Sequence, residues 1–221
     1  NNIFTGNAAV SIDVMTGDIA AGGGMYNEAS SPLVVGCRFE GNGVTGWNAD
    51  AKGAAMYNQA SSPVVLGCVF SNNFVTMSYG GIGQGGGMHN EGSSPIVANC
   101  VFANNRFGCD SFCSSMGGGM SNADGSSPVI TNSVFFANQA NDYGGAGLGG
   151  GIYAMNSTIT VTNTILWNNT AEAGESIYSA LSTPIVTYSD VQNGCSVVSG
   201  CTTDDSGNFD DDPLLDSDLH P

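Results

Sequence analysis

Short aliphatic runs of three to five residues, separated by Gly, Asn and Ser-Pro corners, recur along the whole of this 221-residue chain. Aligned on the corners Ser31-Pro32, Ser62-Pro63, Ser94-Pro95, Ser127-Pro128 and Thr183-Pro184, the runs place Val34, Val65, Val97, Ile130, Val161 and Val186 in one purely aliphatic column. Past a corner of Gly36, Gly67, Asn99, Asn132 and Asn163 follows a column of small residues, Cys37, Cys68, Cys100, Ser133, Thr164 and Ser189. Two places later stand Phe39, Phe70, Phe102 and Phe135, each with Asn three places on; Phe4/Asn7 opens this series and Leu166/Asn169 continues it. Variable positions between the columns, such as Val35, Leu66, Ala98 and Thr131, fit the outward side of a period-two strand.

A second phrase keeps the same beat. Gly22-Gly23-Gly24-Met25, Gly53-Ala54-Ala55-Met56, Gly85-Gly86-Gly87-Met88, Gly117-Gly118-Gly119-Met120 and Gly149-Gly150-Gly151-Ile152 start 31 or 32 residues apart. A fixed period of this size means one supersecondary unit stacked on copies of itself. No segment carries the ten or more residues of 3.6 periodicity that a helical repeat needs. Stacked short strands instead give parallel sheets about 4.8 Å apart, with equivalent residues piled into ladders. The expected fold is all-β, a parallel β-helix of about six coils over residues 1–193 with loop excursions on one edge. A Cys-containing acidic tail, 194–221, is expected to pack on or extend the last coil.

The pairing of Gly-Gly-x-(Met/Ile) with Phe-x-x-Asn resembles the repeat of right-handed parallel β-helix proteins of the pectin-lyase-like superfamily. It is similar to the short repeats in passenger domains of polymorphic outer-membrane proteins, which are surface adhesins. The closing stretch Tyr188-Ser189-Asp190-Val191-Gln192, followed by Asp212-Pro213-Leu214, resembles the end of many large secreted bacterial β-helix proteins. The resemblance implies a right-handed coil and a surface or extracellular setting. It implies no reaction, because one fold carries lyases, hydrolases, adhesins and spacers alike.

Charge narrows the partners. Three Lys and Arg against nineteen Asp and Glu give a formal net charge of −16, which repels phosphate backbones and anionic membranes and argues against nucleic acid. No apolar run is long enough to span a membrane, and no basic-then-apolar leader opens the chain. Residue 1 falls inside a Phe-x-x-Asn unit, so the expectation is that a signal or further coils precede it. Cys109 with Cys113, and Cys195 with Cys201, are spaced for two local disulfides in an oxidising compartment. Cys37, Cys68 and Cys100 fit an inward ladder of thiols acting as small hydrophobes, since a linear stack of sulfurs makes no tetrahedral metal site.

Two surfaces are candidates for binding or assembly. The excursions 8–21, 43–52, 74–84, 106–116 and 139–148 carry Trp47, Phe74, Tyr79, Phe107, Phe112 and Tyr143, either as a satellite cluster over the solenoid or as a binding face. After each Gly phrase comes Tyr26, Tyr57, His89, Ser121, Tyr153 or Tyr178, which alternation points outward in a row suited to stacking or to sugar rings. Next along, Asn27, Asn58, Asn90 and Asn122 are expected to form a structural amide ladder.

Catalytic signals are sparse. Arg38, Lys52 and Arg106 fall in different columns and are not expected to converge. Glu28 and Glu91 share a column two coils apart, near 10 Å by stacking arithmetic, and are the best acid pair for glycoside hydrolysis. His89 fits the row as a substitute for Tyr better than as a general base. Gly81, Gly83 and Gly86 match a dinucleotide fingerprint by letter only, without a βαβ unit.

The acidic tail offers Asp204, Asp205, Asp210, Asp211 and Asp212 as ligands for Ca²⁺, with a solvated acidic tail as the alternative. The combined expectation is a secreted or cell-surface structural or adhesive protein that assembles head to tail as a homopolymer or binds extracellular polysaccharide. A polysaccharide lyase, a glycoside hydrolase and a non-catalytic carbohydrate-binding module are the alternatives.

Overall fold

In the computed structural model, which describes residues 1–11, 19–78, 80–110, 112–140, 145–194 and 207–215, the chain winds into a parallel β-solenoid of about five turns. Every strand is short and pairs in parallel with its equivalent one turn away. The second turn shows the plan: Leu33–Val35, Arg38–Glu40, Gly43–Trp47, Asp50–Lys52 and Met56–Gln59 follow one another and feed five separate sheets. These first to fifth sheets hold six, seven, six, five and six strands respectively.

The excursions stand on one side of the stack, as expected, but they are not loops. Gly43–Trp47 and Asp50–Lys52, with their counterparts in other turns, build the third and fourth sheets and enclose a second core. Phe107 and Met77 are buried in it beside Val44, Val75, Ala51 and Cys113. The solenoid therefore has two compartments. The main one lies between the first, second and fifth sheets and contains the Val, Phe and Met columns.

In the main compartment the phenylalanines pile face to face. Ring centroids of Phe4, Phe39, Phe70, Phe102 and Phe135 follow one another at 4.6, 4.8, 4.5 and 4.6 Å with planes within 4° of parallel. That spacing is set by the hydrogen-bonded strands, which bring each ring close to the next. Cys37, Cys68 and Cys100 are buried free thiols, and each does more than fill space. Cys68 Sγ accepts the Cys37 amide at 3.3 Å and Cys100 Sγ accepts that of Cys68 at 3.4 Å, a role that Ser133 and Thr164 continue with hydroxyls.

Corners follow from backbone sterics. The turn between the first and second sheets is left-handed, with φ of 60° at Gly36, 58° at Gly67 and 49–55° at Asn99, Asn132 and Asn163. Only Gly, or Asn at small cost, adopts that region readily, which explains the composition of this column. In the Gly phrases the limit is space. A Cβ on Gly118 would lie 2.5 Å from the Gly150 carbonyl oxygen and from the Gln139 amide nitrogen.

The Asn that follows each Phe turns the chain from the second sheet to the third. Asn105 Oδ1 accepts the Asn73 backbone N–H at 3.1 Å and its side-chain N–H at 2.8 Å. Its own Nδ2 donates to the Phe70 carbonyl and to Asn138 Oδ1, both at 2.9 Å. All the donor and acceptor capacity of the amide is used, with the group fully buried. The expected ladder of Asn27, Asn58, Asn90 and Asn122 is also present, with Nδ2 to Oδ1 distances of 2.8 Å.

Two substitutions test this architecture. Phe102→Ala removes a fully buried ring and is expected to cost about 3–5 kcal/mol in chemical denaturation. Asn105→Leu has similar volume but leaves two donors of Asn73 without an acceptor; a comparable loss is expected, at about 1–3 kcal/mol for each buried group left unpaired. A loss under 1 kcal/mol for Asn105→Leu would show that the ladder contributes little.

Candidate functional site

The fourth and fifth sheets adjoin along the aromatic row, where Lys52 of one reaches Glu91 of the other. Tyr26, Tyr57, His89, Ser121, Tyr153 and Tyr178 are in register on the fifth sheet, facing away from the main core. Tyr26 and Tyr57 ring centroids are 5.1 Å apart, Tyr57 and His89 5.4 Å, and Tyr153 and Tyr178 5.8 Å.

This row departs from the open stripe expected of it. Tyr57, His89, Ser121 and Tyr153 are buried, Tyr178 is partly covered, and only Tyr26, 46% exposed, is open to solvent. The fourth sheet is the reason. Its last outward column, Ala21, Lys52, Gln84, Met116 and Leu148, runs in register alongside the row. What remains open is a hollow of about 290 Å³ lined by Ile19, Ala21, Tyr26, Tyr57 and Gln59, in which the Tyr26 hydroxyl donates to Gln59 Oε1 at 2.7 Å.

Lys52, which column spacing left isolated, converges on Glu91. Its Nζ lies 2.7 Å from Glu91 Oε2, and the Tyr57 hydroxyl donates to the same oxygen at 2.8 Å. His89 Nε2 is 3.6 Å from it, too far for a hydrogen bond, and among the described residues neither ring nitrogen of this buried His has a hydrogen-bond partner. The nearby His89 imidazole, the Lys52 ammonium and the Tyr57 hydroxyl hold the Glu91 carboxyl well below the ordinary carboxylate range, the last two through direct bonds. Burial and the Glu91 charge push the Tyr57 phenol up, while burial pushes His89 down and keeps it neutral.

These states bear on catalysis. Glu28 and Glu91 are two register steps apart with Gln59 between them, as stacking predicted. Glu91, held ionised by a cation, is a poor proton donor at neutral pH, so in a hydrolase pair it would be the carboxylate and the acid would have to be Glu28. A neutral, sealed His89 has no path to a substrate proton.

The remaining candidates separate. Of the excursion aromatics, Phe107 belongs to the second core and Phe74 packs half-buried over Gly43, while Trp47 and Phe112 are exposed on the far rim. Phe112 sits between Cys109 and Cys113, which form a disulfide, and holds a left-handed φ of 54°. Tyr79, Tyr143, Cys195, Cys201, Asp204 and Asp205 lie outside the described residues. Asp210, Asp211 and Asp212 are exposed after Phe209, and among the described residues no group of three or more His, Cys, Asp and Glu is arranged to hold a metal ion. Among the described residues no helix is long and apolar enough to cross a membrane.

Sequence reasoning missed a third surface. The outward column of the first sheet, Leu33, Val64, Ile96, Val129, Thr160 and Ile185, is in register over six strands and carries no charge. Its signal was present: each residue follows a Pro or Ile159 and precedes an inward Val or Ile. Comparison with protein-family models, with curated proteins and with solved structures returned no match for this chain.

His89 makes stability pH-dependent with a definite sign. Its folded pKa is depressed, so the unfolded chain takes up the proton first, and stability is expected to fall as pH drops below about 6.5. Glu91 is also depressed, so its contribution is present above about pH 4.3 and lost only at lower pH. His89→Tyr restores the residue type of the row. Urea midpoints from pH 7.5 to 5.0 are expected to flatten in this variant; an unchanged slope would mean that His89 is not the titrating group.

Proposed function

We propose that this chain is a structural, adhesive β-solenoid displayed outside the cell, related in fold to the pectin-lyase-like surface proteins, and that it performs no catalysis. The observation that carries this reading is the uncharged column of the first sheet, aliphatic except at Thr160. Leu33 is 69% exposed, Ile96 46%, Val129 43% and Ile185 51%, all in line on a protein of net charge −16. A row of exposed apolar side chains on an otherwise acidic surface is a candidate interaction site.

Three further features support the reading. The Cys109–Cys113 disulfide suits an oxidising compartment. Trp47 and Phe112 add exposed aromatic surface on the opposite rim. The acid pair best placed for hydrolysis has one member locked as an ion pair, which leaves Glu28 alone to act as the acid.

The test replaces Ile96 and Val129 together by Lys, both outward and outside either core. Retention on polysaccharide-coated surfaces and sedimentation of the free protein are measured beside the parent. Loss of retention or of self-association, with the β-sheet circular dichroism kept, is expected. Unchanged adhesion would remove the column from the account, and release of reducing or unsaturated ends from polysaccharide would replace adhesion with catalysis.

A further inference from the structure

A second hollow, of about 410 Å³, opens where the C-terminal segment folds back on the last turns, between the first and second sheets. Its floor is Val134 and Ile165, two members of the outward column of the second sheet. The next member is an acid. Asp190 pairs with Ile165 and takes the place that Val69, Val101, Val134 and Ile165 hold in the turns before it.

A carboxylate put in line after four successive aliphatic residues and then 97% buried (3% exposed) costs free energy unless something compensates it. Little in the described structure does. Its Oδ1 accepts the Asp211 amide at a long 3.3 Å, and burial with the charges of Asp210, Asp211 and Asp212 pushes its carboxyl above the ordinary Asp value. Among the described residues no Lys, Arg or His lines the hollow. Arg38 is paired with Glu40 and Lys52 with Glu91, both elsewhere on the solenoid.

The rest of the lining is mixed: Asn132, Ser133, Asn163 and Thr164 are polar, while Val134, Ile165, Tyr188, Phe209 and Pro213 offer apolar surface to a ligand body. Tyr188 and Phe209 form aromatic walls and both are exposed on their outer side, so the hollow is open. The segment is held in place by strand-like pairing: the Phe209 amide donates to the Ser189 carbonyl at 3.1 Å, the Val191 amide to the Phe209 carbonyl at 2.9 Å, and Asn208 Nδ2 to the Val186 carbonyl at 2.8 Å. Gly207 packs against one edge of the Tyr188 ring, so close that a Cβ there would fall 2.6 Å from it.

We infer that this hollow binds a small organic cation of the alkylammonium class, with the charge at Asp190 and the alkyl groups against Tyr188, Phe209, Val134 and Ile165. A carboxylate and aromatic faces attract the same ligand for different reasons, one by charge and the other by the ring quadrupole. The surrounding Asp210, Asp211 and Asp212 disfavour anions and draw cations toward the opening.

Tetramethylammonium chloride is the probe. Saturation-transfer NMR and titration calorimetry on the full chain compare it with potassium chloride at equal ionic strength and with glucose. Saturation of the methyl signal is expected, together with a heat that potassium and glucose do not give. Tyr188→Ala, an exposed position, and Asp190→Asn are each expected to weaken binding by about tenfold or more. No transfer to tetramethylammonium, equal binding of glucose, or affinity unchanged in Tyr188→Ala would each overturn the assignment, the last reducing it to general attraction of counter-ions. Because Tyr188→Ala keeps the buried column intact, the test stands even if Asp190→Asn fails to fold.

Discussion

A buried amide passes its hydrogen bonds from turn to turn, and this fixes how the turns register. Asn42, Asn73, Asn105, Asn138 and Asn169 each accept from the turn before and tie back a Phe carbonyl, so that a slip of one residue would break several bonds in a fully buried place. With this register fixed, the Phe rings stack, the Val and Met columns close the main compartment, and the outward columns line up. The candidate surfaces are all consequences of that alignment, because a row of like residues exists only if the turns agree.

The sequence was legible where one residue type is demanded at one place. Phe39, Phe70 and Phe102 with their asparagines, the aliphatic column from Val34 to Val186, and the left-handed corners at Gly36, Gly67, Asn99 and Asn132 follow from a beat of 31 to 33 residues that shortens to 25 at the last turn. The role of the Phe-x-x-Asn asparagine was not evident, because spacing says that a residue recurs and not which groups it touches. The second compartment was missed for a related reason. Its inward positions are small and varied, Val44, Val75, Phe107 and Ala140 on one side and Ala51, Gly83, Ser115 and Gly147 on the other. They hold constant offsets from Asn and from the Gly phrase, a signal weaker than a column of Phe.

The same omission explains the aromatic row and Lys52. A column argument stacks residues along the axis but does not say which two columns face each other across a turn. Once the fourth sheet is present, Tyr57, His89 and Tyr153 become interior, and Lys52 reaches Glu91, thirty-nine positions later in the chain. The hollow beside Asp190 needed even more, since it depends on where the segment after the last turn folds back.

The side-chain ladders also have a direction. In both asparagine series the Nδ2 donor belongs to the earlier turn and the Oδ1 acceptor to the later one, and the thiol and hydroxyl column follows the same sense. An extra copy of the repeat can therefore be spliced in only with its polarity preserved, when each amide finds the neighbour it would have had anyway. A reversed copy would set acceptor against acceptor. Such a gene can lengthen by tandem duplication in whole units of the period, and the molecule grows as a vector rather than as a symmetric rod.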